Sequence, residues 1–385
     1  MKNRKKLVIT LIGVIVLGIG LFVYQTFIKK QLHFKENLTV EINGKKIGYD
    51  EPVYFIAEMS ANHLHNFERA KKIIQEAKYA GADAIKLQTY RPDTITIDCY
   101  TDEFMATPGS PWDGMNLYEL YKTAYTPWEW HKELMEYANS IGITCFSSPF
   151  DLTAVDFLEE LNVPAYKIAS FEINDIPLIR KAAKTGKPII ISTGIADLGD
   201  INLALQTCRE VGNDNIILLK CVSEYPTPYA ELNLKTIQNM PQTFECVVGL
   251  SDHSMGEAVD IAGVTLGAQV IEKHLTLKRS DGGPDASFSM EPDEYRRMVE
   301  SVRNVELAFG KVTYELTDKQ KNSKGRSRSL YVVEDIKKGE VFSEHNMKSI
   351  RPGYGIHTKY WNDILGKKAK CDLKKGTAMR WEYVE

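Results

Sequence analysis

Residues 53–89 read VYFIAEMSANHLHNFERAKKIIQEAKYAGADAIKLQT and predict one complete strand–helix–strand unit. The flanking runs Val53–Met59 and Ala84–Thr89 are almost continuously apolar, which is typical of parallel strands that are buried on both faces. The segment between them, Phe67–Tyr79, carries apolar residues at helical spacing: Ala70, Ile73, Ile74 and Ala77. Gly81 follows this segment, where a left-handed residue commonly ends a helix.

The same unit recurs as far as residue 310. The further candidate strands are Thr144–Ser147, Ala165–Ala169, Pro188–Thr193, Ile216–Cys221, Val247–Ser251 and Val270–His274. The further helical segments are Trp128–Ser140, Ala154–Leu161, Leu178–Thr185, Leu203–Val211, Glu257–Leu266 and Asp293–Phe309. Eight strand–helix units over about 250 residues predict an α/β fold, a TIM (β/α)8 barrel. A doubly wound open sheet is the alternative.

Beyond Gly310 the alternation of strand-like and helical segments ends. The polar and basic stretch 311–328 is typical of a linker. Short strand-like pieces separated by glycine turns follow it: Leu330–Val333, Val341–Phe342 and Ala378–Trp381. We predict a barrel over residues 34–310, a linker over 311–328 and a small, mostly β domain over 329–385.

The net charge argues against nucleic-acid binding, and the cysteine spacing argues against a zinc site or a disulfide framework. The formal net charge of -3 gives no broad attraction to nucleic acid, so we expect no nucleic-acid partner. The six cysteines form no CxxC pair and show no zinc-like spacing. Their lack of a disulfide pattern favours reduced thiols in a cytosolic protein.

Charged and ionisable residues collect where the predicted strands end. They are Glu58, Lys86, Lys167, Glu172, Lys220, His253, Glu272 and His274. In a TIM barrel the functional groups lie at the carboxyl ends of the strands. One buried lysine or histidine alone would be read as a paired structural residue, but buried charges are costly and these converge on one rim. We therefore predict a functional site there.

The residue types indicate which ligands the site takes. Lys86, Lys167 and Lys220 suit a dianionic phosphate, together with three serines near the strand ends. The serines are Ser170, Ser192 and Ser251. Two neutral imidazoles, from His253 and His274, suit a divalent transition metal. The predicted site therefore holds a phosphorylated ligand beside a Lewis acid.

A set of ordered motifs carries a family resemblance. They are Ile56–His63, Gly81–Thr89, Pro164–Ser170, Ile191–Gly194, Tyr225–Pro228, Gly249–His253, Ile271–His274 and Gly283–Asp285 in the barrel, with Asp335–Glu340 and Arg351–Gly353 after it. Together they resemble the sialic-acid synthase family, whose members join a TIM barrel to an antifreeze-like SAF domain. The resemblance covers residues 38–385.

Within that family the chain looks most like the pseudaminic acid synthases. The indicative segments are Glu58–His63, Lys86–Tyr90, Ala124–His131, Phe146–Phe150 and Ser329–Val333. The N-acetylneuraminate branch usually has glycine after the first-strand glutamate, whereas this chain has Met59-Ser60-Ala61. The resemblance implies a transferase that joins phosphoenolpyruvate to an amino-sugar aldose, 2,4-diacetamido-2,4,6-trideoxy-altrose. N-acetylneuraminate and legionaminate synthases are the alternatives.

The resemblance also implies roles for single residues. Metal binding falls to His253 and His274, with manganese the expected ion and magnesium or cobalt as alternatives. Phosphoenolpyruvate binding falls to Lys86, Gln88, Lys167, Ser170, Ser192 and Ser251. Sugar binding falls to Glu58, Tyr225, Asp285 and Arg351, the last supplied by the partner in a domain-swapped homodimer. The catalytic carboxylates are Glu58, Glu172 and Glu272, with Glu172 the first choice of base and Glu58 the second.

Two rival functions come from other classes. A Schiff-base aldolase would use Lys167 or Lys220 as a covalent nucleophile. A membrane-tethered sugar-binding protein, built on a synthase scaffold that has lost its activity, would bind a sugar without catalysing a reaction. The second is disfavoured, because every site position that can be matched to the family carries a usable residue.

The first 30 residues have a different character. Residues 7–28 are uncharged and apolar over a length that crosses a bilayer as a helix. A cleaved signal peptide is the alternative, but no small-x-small cleavage site follows. We predict a single-pass membrane anchor within residues 1–30. Basic residues before the run favour an exported main domain. Phosphoenolpyruvate and free thiols belong to the cytosol, so we predict a cytoplasmic catalytic domain.

Overall fold

The computed structural model describes residues 38–385. The chain divides into a first compact unit that ends at Phe309 and a second unit, Gly310–Glu385. The described part of the first unit opens with an antiparallel hairpin of β1 (Thr39–Ile42) and β2 (Lys45–Gly48). This hairpin was not predicted, because its two four-residue strands precede the repeating strand–helix unit.

Eight strands of the first unit run parallel to their neighbours. They are β3 (Tyr54–Glu58), β4 (Ala84–Thr89), β5 (Thr144–Pro149), β6 (Tyr166–Ile168), β7 (Ile189–Ser192), β8 (Ile216–Cys221), β9 (Val247–Asp252) and β10 (Val270–His274). They follow one another around a closed barrel, which β10 completes by pairing with β3. The predicted TIM barrel is confirmed. The open-sheet alternative is wrong, because an open sheet leaves two edge strands unpaired.

Helices surround this barrel. They are α1 (Phe67–Tyr79), α2 (Pro92–Ile95), α3 (Leu117–Ala124), α4 (Trp128–Ser140), α5 (Leu152–Glu160), α6 (Ile176–Lys184), α7 (Leu198–Glu210), α8 (Thr236–Phe244), α9 (Ala258–Thr265) and α10 (Pro292–Phe309). Asn66 caps α1 by accepting a hydrogen bond from the Arg69 N–H at 2.9 Å. The predicted apolar face of α1 is buried. Helices α2, α3 and α8 were not predicted, and α8 contains Pro241, a residue that usually ends a helix.

Side chains alternate between the inside and the outside of the barrel along each strand. Near the amino-terminal ends the interior is an apolar core that includes Tyr54, Ile56 and Val270. The hairpin adds three residues to this core: Val40, Ile42 and Ile47. A larger apolar layer lies between strands and helices. The carboxyl end of the same interior is charged, and it carries the candidate site.

The second unit has its own apolar core, which includes Leu330, Phe342 and Met379. Its elements are α11 (Asp318–Lys324), β11 (Ser329–Val332), β12 (Met347–Ile350) and α12 (Trp361–Ile364). Strands β11 and β12 pair antiparallel, although β12 was not predicted. The pieces expected around residues 341 and 378 form single bridges instead. The predicted boundaries at residues 310, 328 and 385 stay a prediction.

The predicted membrane localisation is wrong for the part of the chain that the structure describes. Within residues 38–385, no helix combines the length and the apolar character needed to cross a bilayer. The predicted anchor, residues 1–30, lies outside the described residues.

Candidate active site

A cavity of about 870 Å³ opens at the carboxyl ends of the barrel strands. Apart from Lys220, the candidate site residues of the first unit line it: Glu58, Lys86, Gln88, Lys167, Ser170, Glu172, Ser192, Tyr225, Ser251, His253, Glu272, His274 and Asp285. The remaining candidate, Arg351, is an exposed residue of the second unit. Barrel closure thus brings together residues that lie more than 200 positions apart in the chain.

Four buried charges form what we call the charged floor of the cavity: Glu58, Lys86, Lys167 and Glu272. The Lys86 ammonium lies 2.6 Å from Glu272 Oε1 and 3.1 Å from Glu58 Oε2. Lys167 Nζ lies 3.7 Å from the same Glu272 oxygen. The strand register places Glu58 directly opposite Lys86. Because two ammonium groups balance two carboxylates, no charge of the floor is buried alone.

Burial and the two lysines act differently on the two carboxylates of the floor. Burial raises the pKa of Glu58 to about 7, although Lys86 opposes this. Burial also disfavours the charge of Glu272, but Lys167 and Lys86 outweigh it and lower that pKa. Burial lowers the pKa of Lys167 to about 8. Glu58 is therefore the carboxylate of the floor that takes up a proton near neutral pH.

Three serines surround the charged floor. Ser170 Oγ accepts a hydrogen bond from the Gly194 N–H at 3.1 Å, and Ser251 Oγ donates one to Glu272 Oε1 at 3.3 Å. Ser192 Oγ is buried and has no hydrogen-bond partner within the described chain. A Cβ at position 194 would lie 2.6 Å from Ser170 Oγ, so glycine permits this close approach. Hydroxyl and ammonium donors at this spacing suit a small anion.

Two histidines stand beside the floor at neighbouring strand ends. The ring centroids of His253 and His274 are 5.3 Å apart. His253 Nδ1 lies 3.0 Å from the Val222 carbonyl oxygen, which can only accept, so Nδ1 carries a proton and the neutral ring presents the lone pair of Nε2. Burial lowers the pKa of His274 well below its ordinary value. Its Nδ1 atom is buried without a hydrogen-bond partner in the part of the chain described.

Two residues near the site depart from expectation. Lys220, predicted to hold phosphate, does not line this cavity, and its ammonium donates to the Cys221 carbonyl oxygen at 2.9 Å. On β8 the residues Ile217 and Leu219 face inward, so alternation turns Lys220 outward. Cys221, one of six cysteines for which the sequence predicts only a reduced thiol, places its Sγ 3.9 Å from His253 Nδ1. Burial alone would raise the pKa of this thiol, but His253, Ser170 and Lys167 together outweigh burial and lower the pKa to about 7.

A strained turn after β3 fixes one rim of the cavity. Ser60 has a φ of 42°, which is uncommon for a residue with a side chain. Its N–H donates to Glu58 Oε1 at 3.0 Å, and its hydroxyl donates to Asp285 Oδ2. Asn62 Nδ2 donates to Ser289 Oγ at 2.9 Å, which ties the turn to the loop after β10. The turn therefore holds Glu58 and Asp285 side by side.

Glu172 follows β6 and points a carboxylate into the cavity. Its Oε2 atom is buried and has no hydrogen-bond partner among the described residues. Burial raises its pKa to about 7, in spite of Lys167. A carboxylate with no fixed partner and a pKa near neutrality is well suited to exchange a proton with a ligand.

Lys273 forms a second buried ion cluster on the outer side of the barrel. Its ammonium bonds Asp252 and lies 3.2 Å from Asp260 Oδ2. It also donates to two backbone carbonyls of the loop 252–256, at 2.9 and 3.0 Å. This loop carries His253. In the sequence Lys273 and Asp252 resemble site residues, but in the structure they form a clamp behind the site.

An apolar surface faces the cavity from the segment 90–124, between β4 and α4. Tyr90 packs edge-on against Tyr121 and Phe150, with ring centroids 5.7 and 5.2 Å apart. All three rings line the cavity, and we call them the aromatic wall. None of the three was predicted as a site residue. Tyr90 and Phe150 belong to the family motifs, and Tyr121 lies far from any strand end in the sequence.

Comparison with known proteins identifies the family. The sequence profile of the NeuB family matches residues 73–314, and that of the SAF domain matches residues 327–385. The chain belongs to the NeuB family. The family resemblance of the motifs is thereby confirmed.

Two curated NeuB-family relatives align with nearly their whole length. The chain is 46% identical to the pseudaminic acid synthase of Campylobacter jejuni, over 86% of this chain and 96% of that protein. It is 44% identical to the pseudaminic acid synthase of Helicobacter pylori, over 87% of this chain and 98% of that protein.

A solved structure shows the same architecture. The N-acetylneuraminic acid (sialic acid) synthetase of Leptospira borgpetersenii, solved in complex with citrate, is 30% identical to the NeuB-family chain. The TM-score is 0.66, and the match covers 74% of this chain and 96% of that one.

Proposed function

We propose that this NeuB-family enzyme is a pseudaminic acid synthase. It condenses phosphoenolpyruvate with 2,4-diacetamido-2,4,6-trideoxy-altrose and water to give pseudaminic acid and phosphate. The identities of 46% and 44% with two pseudaminic acid synthases support the substrate assignment. The observation that carries the chemistry is the charged floor, where two buried lysines lie beside two histidines at the catalytic end of the barrel.

Phosphoenolpyruvate is assigned to the charged floor and its serines. The contacts we propose are Lys86, Gln88, Lys167, Ser170, Ser192 and Ser251. Ammonium groups make strong charge-assisted bonds to phosphate and carboxylate oxygens. Ser192 Oγ, which is buried without a partner in the described chain, is a donor that a bound anion can satisfy. Gln88 Nε2 also donates to Glu58 Oε1 at 3.0 Å, which links the two substrate positions.

The acceptor sugar is assigned to Glu58, Tyr225 and Asp285, with Arg351 of the partner subunit completing the site in a domain-swapped homodimer. Mixing inactive Arg351→Ala chains with inactive His253→Ala chains tests the swap. One of the mixed sites then carries neither change, so part of the activity should return. If none returns after verified subunit exchange, Arg351 acts in its own chain.

The divalent metal is assigned to His253 and His274, with manganese as the ion and magnesium or cobalt as alternatives. The residues fit, because the Val222 carbonyl oxygen engages Nδ1 of His253, so that Nε2 is the coordinating atom, and His274 Nδ1 is buried without a partner in the described chain. Residues 38–385 contain no group of three or more His, Cys, Asp or Glu arranged to hold a metal ion. We therefore propose that substrate or water oxygens complete the ligand set. The bound metal would polarise the acceptor aldehyde.

In the proposed reaction, C3 of phosphoenolpyruvate attacks the aldehyde carbon of the open-chain sugar, and the aldehyde oxygen gains a proton to become a hydroxyl. Water then adds at C2, and phosphate leaves with cleavage of the C–O bond. Glu172 takes the proton of this water, because its pKa of about 7 keeps a large ionised fraction at neutral pH. Glu58 is the second candidate for this base. Glu272 stays ionised and holds Lys86 and Lys167 in place.

Mass spectrometry of products from three acceptors tests the proposed function. The acceptors are the trideoxy-altrose, its legionaminate counterpart and N-acetylmannosamine. We expect the highest kcat/KM for the first, and 18O from water should enter the sugar acid and not the phosphate. Preference for another acceptor would instead favour a legionaminate or neuraminate synthase. Borohydride trapping with pyruvate should yield no adduct, whereas an adduct at Lys167 would indicate an aldolase.

A further inference from the structure

The cavity has two chemically distinct sides. The charged floor occupies one side, and apolar side chains of the segment 90–124, with Phe150, occupy another. Besides the aromatic wall, this side includes Ala106 and Leu120, which are 6% and 5% exposed. A ligand that fills the cavity must therefore present charge to one side and apolar groups to the other.

The aromatic wall lines the same cavity as the proposed base, Glu172, and a proposed sugar contact, Asp285. Burial raises the pKa of Tyr121, and the nearby Glu172 charge adds to this. Burial likewise raises the pKa of Tyr90, with Asp285 as the next contribution. The wall is therefore close enough to both residues for their charges to act on its tyrosines.

Trp112 fixes the segment that carries the wall. Its indole N–H donates to the Pro284 carbonyl oxygen at 2.9 Å, and its ring centroid lies 5.6 Å from that of Tyr225. Asn116 Nδ2 donates to the Cys99 carbonyl oxygen at 2.7 Å, which closes the segment on itself. The wall is thus held in a set position over the cavity.

The acceptor assigned above carries three methyl groups, two on its acetamido groups and one at C6. N-acetylmannosamine has one acetamido methyl and carries hydroxyls at C4 and C6. A hydroxyl buried without a hydrogen-bond partner costs free energy, whereas a buried methyl gains it. We propose that the aromatic wall, held in place by Trp112, is the specificity-determining surface that selects a deoxy, diacetamido aldose over a hydroxylated one. This inference rests on the proposed function.

Truncation of the wall is the test. In Phe150→Ala, the KM of the trideoxy-altrose should rise about tenfold, the low end of the discrimination that one methyl-sized group provides in an apolar pocket. The inhibition constant of N-acetylmannosamine against that acceptor should change less than threefold. The KM of phosphoenolpyruvate should stay within twofold. Tyr79→Ala is the control, because Tyr79 is an aromatic residue that is 68% exposed on α1.

A gentler variant covers the case in which Phe150→Ala does not fold. Ala106→Ser adds one hydroxyl to the same surface. It should likewise reduce the difference between the KM of the trideoxy-altrose and the inhibition constant of N-acetylmannosamine. Equal weakening of both sugars, or no change in either variant, would overturn the inference. Failure of the proposed function would look different, since the wild-type enzyme itself would then form no product from the trideoxy-altrose.

Discussion

Replacing Lys86 with methionine perturbs the charged floor at its centre, because one ammonium group holds two buried carboxylates. Lys86 Nζ lies 2.6 Å from Glu272 and 3.1 Å from Glu58, and the side chain is 5% exposed. Methionine keeps most of the length and removes the charge. Only Lys167, 3.7 Å from Glu272, then remains to offset two carboxylates.

Removing one partner of a buried ion pair costs about 3–5 kcal/mol of unfolding free energy, and we expect this loss at pH 8. The loss should shrink at pH 6. The folded-state pKa of Glu58 is raised to about 7, above its unfolded value, so stability falls as pH rises through 7. Without Lys86 the folded-state pKa of Glu58 rises further, so in the variant Glu58 stays protonated up to about pH 8 and the variant goes on losing stability above pH 7. The destabilisation at pH 8 should therefore exceed that at pH 6 by about 1 kcal/mol, since one pKa unit corresponds to about 1.4 kcal/mol.

Denaturant unfolding in metal-free buffer at both pH values, followed by tryptophan fluorescence, measures this difference. Lys181→Met is the matched control, because Lys181 Nζ lies 2.5 Å from Asp156 but its side chain is 33% exposed. Exposed pairs contribute at most about 1 kcal/mol. A loss in Lys86→Met that equals the control, or that is the same at pH 6 and pH 8, would refute the reasoning about Glu58.

Three further predictions concern the residues around the floor. His253→Ala and His274→Ala should each abolish manganese binding in a calorimetric titration while the circular dichroism spectrum is unchanged; wild-type affinity in either variant would contradict the ligand assignment. With Glu172 as the base, kcat should increase as pH rises through about 7, and Glu172→Gln should remove this dependence together with most of the rate. Lys273→Met should lower the unfolding free energy by about 3–5 kcal/mol and weaken manganese binding. Adding Asp260→Asn should restore part of the stability, because it removes a buried carboxyl group that the first change leaves without its lysine. Unchanged stability in Lys273→Met would show that the clamp is unimportant.

The barrel strands could be predicted because each is buried on both faces and reads as an apolar run. Strand β4, for example, begins and ends at the predicted residues Ala84 and Thr89. Most site residues could be predicted as well, because barrel closure gathers all carboxyl ends on one rim. The sequence identifies the end of the strand at which a residue lies, and that is enough to locate the site.

The face of the strand was harder to predict, as Lys220 illustrates. On β8 the inward residues Ile217 and Leu219 are apolar, and so are their outward neighbours Ile216 and Leu218. When both faces are apolar, the composition of the strand does not reveal whether its odd-numbered or its even-numbered residues face the interior. Only pairing with β7 and β9 fixes it, and this pairing turns Lys220 away from the cavity.

The aromatic wall and helix α8 were missed for a different reason. The segment 90–124 has neither strand nor long helical periodicity, and its position depends on tertiary contacts such as that between Trp112 and Pro284. Helix α8 is stabilised by burial of Ile237, Met240 and Phe244 in spite of its internal proline. In both cases packing overrides the local signal.

Strand β10 shows how the barrel tolerates so many charges. It ends in Glu272-Lys273-His274, three polar residues in succession where a buried strand normally continues its apolar run. Alternation sends Glu272 and His274 inward and Lys273 outward. On the inner face Lys86 and Lys167 balance Glu272 together with Glu58. On the outer face Lys273 pairs with Asp252, and burial raises the pKa of Asp260 to about 8, so this second carboxyl is mostly protonated at pH 7. His274 adds no charge, because burial keeps its pKa low. Each face is balanced independently of the other, so one strand can carry a residue of the floor, the clamp behind it and an imidazole of the metal site without leaving a buried charge unpaired.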